Sequence, residues 1–395
     1  MDLDITPWLN MAIRWLHVIA GIAWIGSSFY FIWLDNSLRP EKDEKDKGVF
    51  GALWAVHGGG FYHKKKYLVA PDHMPDDLHW FKWEAYTTWL SGFALLALMY
   101  YWSADLYLID RSKLDMTNLQ ATGLGLLVLA AGWLIYDGLC KSPLRKNNAL
   151  LGAVWFFVLM GFAYGLNLVF SGRGAVMHMG AIVGTAMAAN VFFIIIPNQR
   201  KVVASMLAGK APDPKLGQAA KQRSLHNNYM TLPVVLIMFS NHYPLLFGNP
   251  YNWALLAGFA ICGMLIRHFF NRRHKDDVQY GYLVAGAAVF IATMVFAAAS
   301  QNGFSKKQDT GTVTFTQVKV LMDTHCTICH AQNPAYDGFD AAPAGLILTD
   351  KVTITAAASR IYDQVVVAKI MPLGNETGMT EDERTMIGTW AQSVK

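Results

Sequence analysis

Three groups of residues in this chain are of types and spacings that could do chemistry, and one of them is contiguous. At 325–330 the sequence reads HCTICH, which sets Cys326, Cys329 and His330 in Cys-x-x-Cys-His order. Two thiols at this spacing can bond the two vinyl groups of a porphyrin while the next imidazole binds its iron, so the pattern predicts covalent attachment of a c-type haem. The sixth iron position calls for a soft ligand from downstream. The stretch KIMPLG offers Met371, with Met379 and Met386 as alternatives. His/Met ligation favours a higher reduction potential, so this segment is expected to accept electrons. A redox dithiol or a zinc site could also use the Cys pair, but zinc needs two more ligands and no second Cys or His cluster follows.

The second group lies inside apolar runs, where an ionisable side chain is costly and therefore informative. His17 follows Arg14 by three residues, on the same helix face, and His178 follows Arg173 by five. A b-type haem needs one or two imidazoles and a cation near its propionates, which these residues could supply. His242, in SNHYP, is a third candidate. The plainer reading is that these histidines bond backbone or lipid headgroups. The third group is polar and sits near basic loops. It comprises His57 in AVHGGGFYHKKK, the run His226, Asn227, Asn228, Tyr229 and Thr231 in SLHNNYMTLP, and Arg267 with His268. Amides and imidazoles can read a planar ligand rich in N–H and C=O groups, and arginine can neutralise an anion. The expectation is catalysis by His226, Asn227, Asn228 and His57, with Tyr229, Thr231, Arg267 and His268 binding substrate. Against it, the glycines could form only a turn, HKKK a solvated topogenic cluster, and the Asn pair a helix cap.

The elements that must position these groups are membrane helices. Of 395 residues, 53% are hydrophobic and only 15% charged, too apolar for an ordinary soluble domain. Eight apolar runs are long enough to cross a bilayer as helices, at 8–34, 82–103, 118–139, 148–170, 174–197, 229–247, 252–271 and 279–299. The polar stretch SQNGFSKKQDTGT then divides the chain into a membrane domain at 1–299, a linker at 300–313 and a small domain at 314–395. The fold class expected is all-α: an eight-span bundle plus a small class-I cytochrome c domain, whose last helix starts at a capping box of Thr380 and Glu383. RWLHVIAGIAWIG and RGAVMHMGAIVGTAMAAN repeat weakly, which suggests two four-helix halves. Gly21, Gly26, Gly180 and Gly184 would let helices approach closely or leave room for a flat cofactor.

The net charge of +5 is dispersed among separate loops, which excludes a nucleic-acid partner and leaves a topology signal. The segments 35–81, 139–147, 198–224 and 272–277 carry seven, three, six and three Lys or Arg, against none, two, one and none in 1–7, 104–117, 171–174 and 242–251. The positive-inside bias puts both termini outside the cytoplasm, where bacteria attach c-type haem. Asp2 and Asp4 precede the first run in place of the basic start of a cleaved signal, so that span is expected to stay. Cys140 and Cys262 lie at or in spans and imply no disulfide framework.

These membrane stretches also carry a family resemblance. RWLHVIAGIAWIG, HGGGFY, HNNYMTLPVVLIMFSNHYP and NVFFIIIPNQRK, followed by CTICH and KIMP, make essentially the whole chain resemble the bacterial membrane-integrated urate oxidases, or urate hydroxylases. The resemblance implies an inner-membrane enzyme that oxidises urate to 5-hydroxyisourate. Electrons would pass to its own periplasmic cytochrome c domain and on to a respiratory acceptor, a soluble cytochrome or a terminal oxidase, rather than to oxygen as peroxide. The first span is also similar to that of membrane proteins that bind b-type haem through a His at this place, helical protoporphyrinogen oxidases among them. Competing readings are a membrane-anchored cytochrome conduit between a quinol enzyme and a terminal oxidase, and an enzyme of this architecture acting on another purine or on quinol.

Overall fold

The computed structural model describes residues 5–40, 48–67, 75–304, 313–336, 339–367 and 369–394. From the N-terminus, α1 (Thr6–Ser37) is followed by strands β1 (Val49–His57) and β2 (Gly60–Tyr67). Next come α2 (Trp83–Leu96), which runs on through a π-helical turn at Ala97–Tyr101, and the single turn α3 (Ala104–Tyr107). Then come α4 (Asn118–Lys141), α5 (Asn148–Val169) and α6 (Gly172–Ala189), which continues through a second π-helical turn, Asn190–Ile195, into α7 (Ile196–Leu207). The bundle closes with α8 (Pro214–Ser240), the short α9 (Pro244–Phe247), α10 (Asn252–Arg273) and α11 (Gly281–Phe304). Beyond it lie α12 (Phe315–His325), α13 (Lys351–Ala356), α14 (Ala358–Ile361) and α15 (Glu381–Ser393).

Helix starts follow local chemistry. Thr117 with Gln120 forms a reciprocal capping box on α4, Asn147 accepts two amides of α5, and Asp213 caps α8 just before Pro214. Each side chain satisfies backbone donors that the first turn cannot. The expected box of Thr380 and Glu383 opens α15. Burial centres on α6, which packs against α2, α4, α5 and α8, while Trp15, Leu127, Phe157 and Val284 project from the outer surface. Close packing depends on glycine at several places, two of them against α6 and α8. A Cβ on Gly132 would come within 2.6 Å of Ile182, and one on Gly180 within 2.7 Å of Ile237. The weak repeat is not matched by environment, because α1 buries only Ala20 and Gly21 whereas its counterpart α6 is central.

Among the described residues six helices are long and apolar enough to cross a membrane: Thr6–Ser37, Asn118–Lys141, Asn148–Val169, Gly172–Leu207, Asn252–Arg273 and Gly281–Ser300. The other two expected spans are helical but differ in kind. That at 82–103 is broken into a 14-residue α-helix and a π-helical turn. That at 229–247 is the second half of α8, which stops at Ser240 and has a polar middle. The all-α expectation needs one correction, since residues 49–67 form an antiparallel hairpin. Gly58 (φ 56°) and Gly59 (φ 78°) supply the two successive left-handed residues of a tight hairpin turn. Trp54 stacks on its cross-strand partner His63, ring centroids 4.3 Å apart.

The basic loops gather at one end of the bundle. Arg39 pairs with Asp276, Lys221 lies 3.3 Å from Asp35, and Gln222 bonds the Arg145 carbonyl. The C-terminal helices, with their own core of Val318, Met322, Ile354, Ile387 and Trp390, meet the opposite end, where Arg111 faces Glu376 at 3.5 Å. Of the expected linker, 305–312 lies outside the described residues.

Candidate functional site

In the C-terminal unit, α12 ends at His325 and the chain turns once through the Cys-x-x-Cys-His segment, the amides of Cys329 and His330 bonding the Cys326 carbonyl at 3.2 and 2.8 Å. His330 donates from Nδ1 to the Leu346 carbonyl at 2.9 Å. That bond fixes the tautomer in which Nε2 keeps its lone pair for a metal, the arrangement usual for a ligating imidazole. Met371 packs against the core that contains Cys326. Burial pushes the Cys326 thiol up to about 12, whereas a redox dithiol needs a thiol that ionises readily. Among the described residues no group of three His, Cys, Asp or Glu could hold a metal ion. The donor set present fits a thioether-linked haem.

Within the bundle His17 and His178 occupy separate settings. His17 Nδ1 lies 2.9 Å from the Thr88 carbonyl and 3.1 Å from Ser91 Oγ. A Cβ on Gly92 would come within 2.8 Å of its ring. The fully buried His178 bonds the Gly174 carbonyl through Nδ1 at 2.9 Å, and its Nε2 lies 3.2 Å from the Tyr101 hydroxyl. A Cβ on Gly125 would reach 2.6 Å from that nitrogen. Each ring thus rests where a helix offers glycine, with Nδ1 committed to a backbone carbonyl. Arg14 bonds Asn10 and Met99, and Arg173 bonds Asn241 and lies over the Tyr107 ring. His242 is exposed just past α8.

The polar run of α8 does not form one cluster, because successive residues of a helix point about 100° apart. His226 turns to α4, its Nδ1 2.9 Å from the Tyr136 hydroxyl. Asn227 accepts from Asn190 Nδ2 at 2.8 Å and donates to the Met187 carbonyl. Asn228 turns to α10 and α1, accepting from Arg267 Nε at 2.8 Å and Asn271 Nδ2 at 3.0 Å, with Ser28 at 3.5 Å. Thr231 spends its hydroxyl on the Asn228 carbonyl, and Tyr229 and His268 are paired at 2.7 Å. His57 ends β1 at the exposed hairpin turn, and no bond or ring contact joins it to these residues.

Two buried networks result, one on each side of α8. In the first, Arg223 donates to Asn190 at 3.1 Å and to Asp137 at 2.6 Å. Asp137 also holds Lys141, and Asn190 reaches Tyr136 and Asn227. In the second, Arg267 and Asn271, about 5% exposed, converge on Asn228, and Arg267 lies over the Phe29 ring at 4.0 Å. Its Nη2 and the Oδ1 of Asn271 have no hydrogen-bond partner among the described residues, nor has Nε2 of His226. Sequence reasoning missed Tyr136, Asp137, Asn190, Arg223 and Asn271. The available signal was their polarity inside or at the ends of apolar runs.

The model of the family described as urate oxidase N-terminal matches residues 4–298. No curated protein and no solved structure matches the chain.

Proposed function

We infer the function from one premise: this chain belongs to the urate oxidase N-terminal family, whose model spans most of its length. The family supports an oxidoreductase acting on urate, and the apolar helices are compatible with a membrane protein. We propose that urate is oxidised to 5-hydroxyisourate at the network formed by α1, α8 and α10, and that the electrons leave through the bundle to the C-terminal unit, a cytochrome c. The observation that carries this reading is that Arg267 and Asn271, which both donate to Asn228, keep a buried donor, Nη2, and a buried acceptor, Oδ1, without partners among the described residues.

Leaving such groups unmade is expensive unless a ligand completes them. Urate at neutral pH is a planar anion that presents N–H donors and carbonyl acceptors along its edges. Arg267 would neutralise its charge, Asn271 and Asn228 would fix its orientation, and the ring of Phe29 would limit water. Urate and water give 5-hydroxyisourate, two protons and two electrons. The Tyr229–His268 pair, linked to the network through a Tyr229–Asn271 hydrogen bond, would take a proton. A c-type haem on Cys326 and Cys329, ligated by His330 and Met371, would supply one-electron acceptance, and a b-type haem at His17 or His178 an intermediate stop. With the basic loops in the cytoplasm of a bacterium, the C-terminal unit faces the periplasm and a respiratory acceptor, and no peroxide forms.

The test is anaerobic. Purified protein in detergent is mixed with urate, visible spectra are taken before and after, and a pyridine haemochrome separates b-type from c-type haem. Reduction of a c-type band by urate is the expected result. A haem c that stays oxidised with urate yet is reduced by quinol would replace this reading with that of an electron conduit.

A further inference from the structure

One short segment, 370–377, is held from two sides. From within the C-terminal unit, Arg384 of α15, 5% exposed, donates to the carbonyls of Met371 at 2.6 Å and Val365 at 2.7 Å and to Asn375 Oδ1 at 3.3 Å. Its nearest carboxylate, that of Glu381, is 4.0 Å away and largely exposed. A buried guanidinium is costly unless its hydrogens are used, and here most of its bonds go to the backbone around Met371. His325 adds a bond of 2.8 Å to Thr377. From the bundle, the turn at Gly374 (φ 57°) presses on the carbonyl of Asp105, with which any Cβ would overlap. Arg111 faces Glu376 at 3.5 Å, and Ile370 packs against the bundle's own core. Met371 also lines a cleft of about 1660 Å³ whose far wall carries Lys113 and Arg173.

We propose that this segment is the docking face of the C-terminal unit, and that the contact with Asp105 and Arg111, braced internally by Arg384, positions the sulphur of Met371 for ligation. The proposal rests on the haem c reading above. Thioether sulphur is a weak axial ligand, so the fraction of time it spends bound depends on how firmly its loop is held. A loop clamped between two bodies makes the reduction potential of one depend on its contact with the other. Arg111 and Arg384 are positioning residues in this scheme and touch neither substrate nor iron.

The experiment uses the full-length protein in detergent, with haem staining of the denatured chain as the check on covalent attachment. If the parent carries no covalent haem, the haem c reading has failed rather than this proposal. The variants are Arg111→Glu, which sets two carboxylates against each other across the contact, the charge swap Arg111→Glu/Glu376→Arg, and Arg384→Lys. The readouts are the sulphur-to-iron charge-transfer band and a redox titration. We expect Arg111→Glu to weaken the band and lower the potential, the swap to restore both, and Arg384→Lys to lower both further. A band and potential unchanged in Arg111→Glu would overturn the proposal. Because that variant leaves the sequence of the C-terminal unit untouched, the result stands even where Arg384→Lys fails to fold.

Discussion

The two polar networks flanking α8 are built from the same kinds of residue and differ in how fully they are used. Around Arg223 the cation has its carboxylate, Asp137 has two cations, and Asn190 and Asn227 bond each other and their surroundings. Around Arg267 a guanidinium nitrogen and an amide oxygen are buried without partners among the described residues. A closed network holds helices together, since removing any member strands the rest. An open one suits a receptor, because a ligand would gain bonds that the protein has already desolvated. On the proposed reading the comparison separates structural from functional polarity inside one bundle, and His226 Nε2 and the Nε1 of Trp155, packed on Tyr136, both unpaired among the described residues, mark where the distinction is thinnest.

Asp137→Leu should have the largest effect. It leaves Arg223 buried without a carboxylate, which costs about 3–5 kcal/mol, seen as a lower melting temperature in detergent with turnover per folded molecule near that of the parent. Arg267→Gln should do the reverse, lowering kcat/KM for urate about 10- to 100-fold through loss of a charged hydrogen bond of about 1.5–3 kcal/mol. An unchanged kcat/KM there would remove the open network from the substrate site. Thr380→Ala, remote from both networks, should cost about 1 kcal/mol in thermal stability of the C-terminal unit. Bonds from the Thr380 amide and hydroxyl hold the Glu383 carboxyl below its ordinary range, so its stabilisation is present above about pH 4.3 and fades as pH falls through the lowered value. The variant should therefore shrink the acid limb of a pH–stability curve. His226→Gln is expected to leave urate turnover almost unaltered, and a loss exceeding that of Arg267→Gln would transfer the site to the closed side.

What the sequence disclosed depended on how local the interaction was. The Cys326–His330 turn and the Thr380–Glu383 box are complete within a few residues, and the box has the predicted local form. Asn228 and Arg267 were recognisable as polar groups in apolar runs, but that they meet, and that Asn227 and His226 face elsewhere, follows only from the packing of α8 against three neighbours. Arg223 looked like one more topogenic cation, and its burial against Asp137 has no sequence signature. The hairpin was hidden because the glycines of HGGGFY suit any turn, and only their pairing with flanking strands gives them a type.

The two π-helical turns, Ala97–Tyr101 and Asn190–Ile195, have a consequence for the length of the chain. Each accommodates one residue more than an α-helix of the same rise, and each lies at a polar contact in the bundle, Tyr101 against His178 and Asn190 within the Arg223 network. Deleting a single residue from either turn would leave an unbroken α-helix with both flanks in register, and would change only which side chains the turn itself presents. Relatives one residue shorter at these places would present a different side chain to the same neighbour, so gaps inside apolar helices, ordinarily dismissed as alignment errors, mark here the sites at which specificity can change by a single codon.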